Sequence, residues 1–522
     1  MNAIGFKNFR NFVEFPMLKT NGVTVFVGGN NAGKSTCTMA YRLMAQNLMR
    51  IISGAPFDGN YMAFGTHKFD FSSICGDFER ALSHYADSNI IDYNIKLGYF
   101  DISVQVTAAK NTQSMYANVV SIVIYDTIDN CSWTWNNSDP ETTIFRYSGH
   151  TLAQIVRLFE LEITLNAKGI SDRLSDEQKV NINDKYISIR ENILKYEKKE
   201  VIYEYKDIYS NPFEFHSCKV ILDGEHTDII PSSINDVNES LEPKGDFKVF
   251  QDFFAHIRKD LEKACNPNNI TYIPARGTTL DSYFRINNSD SNSYANDISK
   301  FYRLDNYNLM KCRIQRMMKE LGIGEAFDIE KINSDFLYVT ITNKNGIKVP
   351  LADNGRRAVQ LFRLLLLMAM NAGLPKEMMA LQADGDKLSY VENQDKIFPN
   401  GKDRELSFTK LLIVEEPEQN LHPALQSKLA DIFHSLHQEC GVNILVETHS
   451  EYLVRRSQVL VAEAKYKDEQ ELAEKCPFNV YYFPEIGSGE PYDMEFRCDG
   501  RFKQDFGDGF YDEADKLAYK IM

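Results

Sequence analysis

The chain carries a recurring pattern of short unbroken apolar runs, each ending in a cluster of small or charged residues. Val23–Val27 (VTVFV) is a β-branched run of strand type, and the following STCTMAYRLMAQNLM contains neither Pro nor Gly. The pair predicts a strand, a tight loop and a helix. Leu411–Val414 (LLIV) and Val442–Val446 (VNILV) are continuous apolar runs, as expected of strands covered on both faces in a parallel sheet. LADNGRRAVQLFRLLLLMAMNAGLP predicts a helix that Asn354 opens as N-cap and Gly373 and Pro375 stop. YVTITNKNGIKVPL predicts a hairpin turning at Asn345-Gly346. NIKLGYFDISVQVTA and VVSIVIYDT predict strands of an antiparallel sheet within the first 150 residues. In KYISIRENILKYEKKEV, Tyr186, Ile189, Ile193 and Tyr196 fall at a/d spacing, which predicts a short helix, either a lever or lid or a solvated helix packed on the rest of the protein. The expected class is α/β, in three segments: an N-terminal lobe with phosphate loop and β subdomain over 1–150, an inserted mainly helical region over 151–265, and a C-terminal lobe over 266–522.

A length of 522 residues fits two to four units at roughly 150 residues each. The formal net charge of -15 disfavours bulk attraction to nucleic acid or to an anionic membrane, although a local basic groove is compatible with it. The nine cysteines form no Cys-x-x-Cys pair, which reads as reduced thiols. The N-terminus lacks the apolar core of a signal peptide, and the most apolar run, interrupted by Arg363, is too short to span a membrane. These features predict a soluble cytoplasmic protein.

The chemistry is concentrated at the ends of the apolar runs. VGGNNAGKST fits the pattern G-x-x-x-x-G-K-[ST] at Gly28, Gly33, Lys34 and Ser35. Such a loop curls so that successive N–H groups point at phosphate oxygens, and the helix N-terminus adds partial positive charge. Gly28, Asn30, Asn31, Ala32, Gly33, Lys34, Ser35 and Thr36 are therefore the expected nucleotide contacts. Lys34 is expected to neutralise the β- and γ-phosphates, and Ser35 to complete a Mg²⁺ shell. KLLIVEEPEQNLHP ends its apolar run in Glu415 and Glu416, at the strand end where open α/β sheets bind ligands. Glu415 is expected on the Mg²⁺ side and Glu416 as the base that polarises water; the alternative is a pair of solvated glutamates. His449 follows the run VNILVET and suits a γ-phosphate or lytic water, or a structural role.

These motifs resemble, in order and wording, the ABC-type ATPase heads of the SMC, RecF and Rad50 class. The chain is more closely similar to the AAA15/AAA21 group of prokaryotic ATPases, which includes the ATPase parts of OLD-family proteins and of phage-defence components such as PtuA and AriA. The matching text is FKNFRNF, VGGNNAGKST, VPLADNGRRAVQ, LLIVEEPEQNLHP and ETHSEYL, and GRFKQDFGDGFYDEADKL is similar to the tail of the DUF3696 subset. The resemblance implies an ABC-type P-loop head with a mixed sheet, ATP and Mg²⁺ as ligands, Glu415 as the Walker B carboxylate, Glu416 as catalytic base and His449 as switch histidine. It makes Pro417–Leu421 the D-loop. Asn354, Gly355 and Arg357 become the signature that meets the nucleotide of a second copy, with Arg357 where a second glycine is common. Arg10 sits where such heads touch the base, and reads equally as a solvated strand arginine. No glutamine stands in an obvious Q-loop place. OLD-family proteins carry a TOPRIM nuclease after the head, whereas about seventy residues follow His449 here and carry no second acidic metal cluster. The resemblance thus implies an oligomeric ATPase that gates a separate effector, a nuclease or toxin, in response to a phage-derived trigger. A DNA-clamping head of RecF or Rad50 kind and a scaffold with little hydrolysis are the alternatives.

Overall fold

The computed structural model describes residues 3–53, 61–64, 75–109, 116–127, 130–139, 142–148, 202–207, 219–222, 225–227, 261, 265–266, 269–275, 281–286, 293–373, 410–485, 489–507 and 513–521. The expected heptad at 186–196 lies outside the described residues, as do Arg276, which follows the apolar run ITYI, the polar, turn-rich stretch 383–406, and most of YMAFGTHKFDFSS at 61–73. Two compact units divide the chain: Met1–Leu18, Met39–Asn269 and Leu381–Phe408 form one, and Lys19–Thr38, Ile270–Ala380 and Thr409–Met522 form the other.

The first unit is built on a sheet of order β12-β11-β10-β9-β8-β7-β6-β5-β1-β2, with β4 paired to β7. Its strands are β1 (Ala3–Phe9), β2 (Phe12–Lys19), β4 (Tyr61–Ala63), β5 (Ile90–Leu97), β6 (Phe100–Ala108), β7 (Tyr116–Asp126), β8 (Cys131–Asp139), β9 (Thr142–Ser148), β10 (Ile202–Asp207), β11 (Lys219–Leu222) and β12 (Glu225–Thr227). In β5 and β6, buried and half-buried positions alternate, so one face is closed by Ile91, Tyr93, Ile95, Ile102, Val104 and Val106. Phe6 stacks on Phe15 at 4.3 Å, and Phe9 meets Tyr93 edge-on at 5.5 Å. Within 151–265, expected to be mainly helical, the described stretches β10 to β12 are strands that extend this antiparallel sheet. The aromatic and β-branched alternation of IYEYKD overrides a helical reading there.

The second unit holds the phosphate loop. Its main sheet runs β13-β18-β19-β3-β20-β21, with β3 (Val23–Gly28), β13 (Ile270–Ile273), β18 (Leu411–Glu415), β19 (Asn443–Glu447), β20 (Phe478–Phe483) and β21 (Tyr492–Asp493). Every pairing is parallel except β20 with β21. Strand β3 and the first four residues of β18 are buried throughout, as their unbroken apolar runs predict. A smaller antiparallel sheet joins β14 (Tyr283–Arg285), β16 (Phe336–Thr342), β15 (Ala326–Lys331) and β17 (Lys348–Pro350). The β16–β17 hairpin lies where the sequence predicts it. Its turn is closed by Gly346 N–H donating to Asn343 O at 3.0 Å, and Gly346 alone takes a left-handed φ of 77°. The α/β class is therefore as expected.

Helix α1 (Lys34–Ser53) follows the loop, and α2 (Phe78–Ala81) lies in the first unit. The second unit adds α3 (Tyr294–Tyr302), α4 (Tyr307–Leu321), α5 (Gly355–Ala372), α6 (Pro423–Cys440), α7 (Glu451–Ala464), α8 (Glu469–Lys475) and α9 (Glu513–Ile521). Helix α5 packs on β13 and β18, and α6 on β3 and β19. Asn354 stands at the N-cap of α5, but its side chain makes no capping bond; Nδ2 donates back to Pro350 O at 2.8 Å. The buried Arg313 guanidinium donates to Ala369 O and Gly373 O at the far end of the same helix. No described helix is long and apolar enough to cross a membrane, and Cys37, Cys75, Cys265, Cys312, Cys476 and Cys498 are unbridged thiols.

Ile444 of β19 is fully buried in the apolar cluster that includes Val23, Val25, Val414 and Val480. Ile444→Ala is expected to cost about 2–5 kcal/mol, read as a lower urea midpoint for the unit that contains the phosphate loop.

Candidate functional site

The loop between β3 and α1 is shaped by backbone geometry that few residues tolerate. Gly28 has φ 150° and Gly33 φ 95°, while Asn31 is left-handed at φ 60°. A Cβ at Gly28 would lie 2.3 Å from the Phe483 carbonyl oxygen of β20. Gly33 O accepts from Thr36 N–H at 3.0 Å, closing the first turn of α1. Asn30, Asn31 and Ser35 are exposed, whereas Ala32, Lys34 and Thr36 are buried. Lys34 Nζ donates to Gly28 O at 3.0 Å and to Gly29 O at 2.8 Å. Burial lowers the Lys34 ammonium below its ordinary pKa, opposed by the charges of Glu447, Glu416 and Glu418. The ammonium is thus held by two backbone carbonyls in surroundings whose burial disfavours its charge and whose acidic side chains favour it.

The carboxylates reach the loop from adjoining strand ends. Glu415 and Glu447 are register partners on β18 and β19, and Glu447 pairs in turn with Phe26 of β3. Glu416 N–H donates to Glu447 O at 2.8 Å, and Glu416 has a left-handed φ of 42°. Such a conformation in a non-glycine residue costs of order 1–3 kcal/mol and recurs at functional sites. Its carboxylate lies 3.8 Å from His449 Nε2 and accepts from Gln419 Nε2. His449 N–H donates to Glu418 Oε1 at 2.7 Å, and the ring is hydrogen-bonded to the Gly28 backbone. Burial, with the charge of Lys34, lowers the imidazole below its ordinary value, and Glu416 opposes this. The neutral ring faces the loop.

Glu415 Oε2 accepts from the Tyr272 hydroxyl and from Ala275 N–H. Glu447, which the sequence reading passed over, also meets the loop. Its Oε2 accepts from Ser35 Oγ at 2.7 Å and its Oε1 from Thr38 Oγ1, and the residue is 2% exposed. The signal was present: a glutamate closes an otherwise apolar strand in NILVE. Glu418, buried beneath His449, was also passed over. It lies inside the expected D-loop Pro417–Leu421, and burial raises its carboxyl.

The expected signature start stands against that same turn: Arg357 Nε donates to Asn420 O at 2.9 Å, and Gly355 has φ 80°. Arg357 thus bonds a carbonyl of its own chain. Arg10 belongs to the first unit and lies in the turn between β1 and β2, not on a strand. Its N–H donates to Ala81 O at 2.7 Å, and its side chain is hydrogen-bonded to the buried thiol of Cys75. Burial pushes that thiol up to about 11.

A family model described as "AAA domain, putative AbiEii toxin, Type IV TA system" matches residues 23–455, well over half of the chain. The chain belongs to the AAA_21 family. As a member it is an AAA-type ATPase domain protein, and the matched span runs from the first residue of β3 to the fifth residue of α7. Among solved structures the AAA_21 chain is similar to an SMC head bound to the C-terminal winged-helix domain of ScpA, with 9% identity, a TM-score of 0.32, and 95% of this chain and 97% of that chain covered. It is similar also to the SMC head of Thermotoga maritima, at 9% identity, a TM-score of 0.29, and 95% and 100% covered. The Smc head with coiled coil and joint from Pyrococcus yayanosii gives 9%, 0.32, 96% and 97%. No curated protein matches.

Among the described residues no group of three or more His, Cys, Asp or Glu side chains is placed to hold a metal. The oxygen pair of Ser35 and Glu447 suits a hard divalent cation that draws its remaining ligands from phosphate and water.

His449 binds a proton less readily in the folded protein than in the unfolded chain, so stability is expected to fall as pH drops through about 6.5 toward the lower folded value. Ring-proton NMR is expected to give His449 a midpoint below 6.5, raised by Lys34→Met and lowered further by Glu416→Gln. A midpoint unmoved by either substitution would separate His449 from the loop.

Proposed function

We propose that this AAA_21 protein binds ATP with Mg²⁺ at its phosphate loop and hydrolyses it, and that the hydrolysis gates a separate effector, a nuclease or toxin, in a prokaryotic antiphage defence system. The observation that carries the ATPase reading is the convergence of Lys34, Glu416, Glu447 and His449 on one loop from segments nearly the whole chain apart. Gly28 to Thr36 supply backbone donors, and Lys34 supplies charge to the β- and γ-phosphates. Bound Mg²⁺ supplies charge neutralisation of the phosphate oxygens, held from the protein side by Ser35 and an acidic neighbour. Glu416 takes the proton of the attacking water. Its strained backbone and the Gln419 amide hold it there. His449, neutral, hydrogen-bonds the water or the γ-phosphate and is steadied from behind by Glu418.

Dimerisation through ATP is part of the reading. Asn354, Gly355 and Arg357 open α5 at an exposed helix N-terminus tied to the D-loop by the Arg357–Asn420 bond. That end suits the γ-phosphate held by a second copy of this chain. The regulatory role is supported by the family description, which names a toxin and a type IV system. It is supported also by the likeness of the motifs to defence ATPases, and the net charge of -15 favours a protein partner over non-specific DNA. A cytoplasmic location follows from the same reading.

Lys34→Ala is expected to abolish ATP turnover. Glu416→Gln is expected to retain ATP binding, to lower turnover by about 10²-fold or more, and to sediment at twice the monomer mass with ATP. Turnover near wild type in Lys34→Ala would end the ATPase reading, and a mass unchanged by ATP would end the dimer.

A further inference from the structure

Glu415 ends β18, and one of its carboxylate oxygens is gripped from the strand on the outer side of the sheet. Strand β13 pairs in parallel with β18, and Tyr272 stands opposite Ile413. Side chains along a strand alternate faces, so Glu415, two residues beyond Ile413, leaves the sheet on the face that carries Tyr272. A rise of about 3.3 Å per residue and a strand spacing of about 4.8 Å put the two Cα atoms about 8 Å apart, a gap that a tyrosine and a glutamate close end to end. The half-buried Tyr272 donates its hydroxyl hydrogen to Glu415 Oε2. Ala275 N–H donates to the same oxygen at 3.3 Å. Both donors therefore fall on Oε2, and Oε1 takes neither. Room for another orientation exists, because Glu415 borders a cavity lined also by Gln360, Leu364 and Pro417. The last torsion of a glutamate is broad, so a carboxylate without these donors would turn in that space.

We propose that Tyr272 is a positioning residue for the metal side of the phosphate loop: its hydroxyl holds Oε2 of Glu415 toward β13 and leaves Oε1 available to the cation or to a water bound to it. The inference rests on the ATP-binding reading above, with Glu415 on the Mg²⁺ side as its motif implies. A hard cation is served by one oxygen of such a carboxylate, and a donor on the other oxygen fixes the orientation of the ligand. A phenol suits this place because it donates without carrying charge. A lysine or arginine in the same position would pair with Glu415 and compete with the cation for it. A phenylalanine would fill the same volume and hold nothing. The hydroxyl is thus the part of Tyr272 that the metal side uses, and the Ala275 N–H supports it from the end of the same strand.

The test is Mn²⁺ binding to the protein–ADP complex, read by electron paramagnetic resonance, with fluorescent ADP titrated in EDTA as the metal-free control. Tyr272→Phe is expected to weaken Mn²⁺ binding by about tenfold, while metal-free ADP binding and the urea midpoint stay near wild type. Glu415→Gln is expected to weaken Mn²⁺ as well. In that background Tyr272→Phe is expected to add less than about a twofold change, because a residue that acts through Glu415 has nothing left to position. Mn²⁺ binding that Tyr272→Phe leaves unchanged overturns the proposal, and a lower urea midpoint alongside it makes Tyr272 a packing residue. An equal loss in both backgrounds overturns it too, since Tyr272 would then act by a route other than Glu415. So does a Glu415→Gln protein that binds Mn²⁺ like wild type. Metal-free ADP binding that is absent in wild type, or that Lys34→Ala leaves intact, would instead strike the ATP-binding reading itself.

Discussion

The hydrogen bonding of β3 between β19 and β20 is the constraint on which the candidate site rests. One short strand near the N-terminus pairs in parallel with two strands that the chain forms more than 400 residues later. Parallel pairing needs long crossovers, so the loop after β3 and the strand ends of β18 and β19 meet only once most of the chain has been traversed. All of these strands present their C-terminal ends to the same edge of the sheet. Residues chosen for chemistry therefore appear after apolar runs, and the sheet brings those run-ends together.

That arrangement explains why so much was legible beforehand. Strands β3, β18 and β19 are apolar enough to identify their burial, and α5 carries its stop at Gly373. Lys34, Ser35, Glu416 and His449 could be named because each follows such a run at fixed spacing. The relative order of strands in the sheet was not legible, since no local pattern says that β19 lies between β18 and β3. Glu447 was missed for that reason: a glutamate ending a strand is remarkable only when the neighbouring strand leads into the phosphate loop. Asn354 stands at the N-cap as its chemistry suggests, but its Nδ2 donates to Pro350 O and its side-chain oxygen makes no capping bond. The heptad at 186–196 coloured the reading of a longer region in which 202–207 has strand alternation.

The electrostatics of the site follow from burial more than from pairing. Lys34 is surrounded by three acidic side chains, yet desolvation dominates its proton affinity. Glu418 and Glu447 are likewise shifted upward by burial before any partner acts. A cluster of this kind is costly for the protein alone and gains most from an incoming polyanion with its cation.

The pairing of β20 with β3 also bears on where the functional unit ends. The family match stops at residue 455, but β20 begins at Phe478, and its Phe483 carbonyl forms the wall that leaves no room for a side chain at Gly28. A recombinant fragment cut at the end of that match would leave the strand leading into the phosphate loop as a bare sheet edge, prone to sticking to other chains. Strand β20 is thus architectural, and any fragment that is to keep the phosphate loop walled has to retain it.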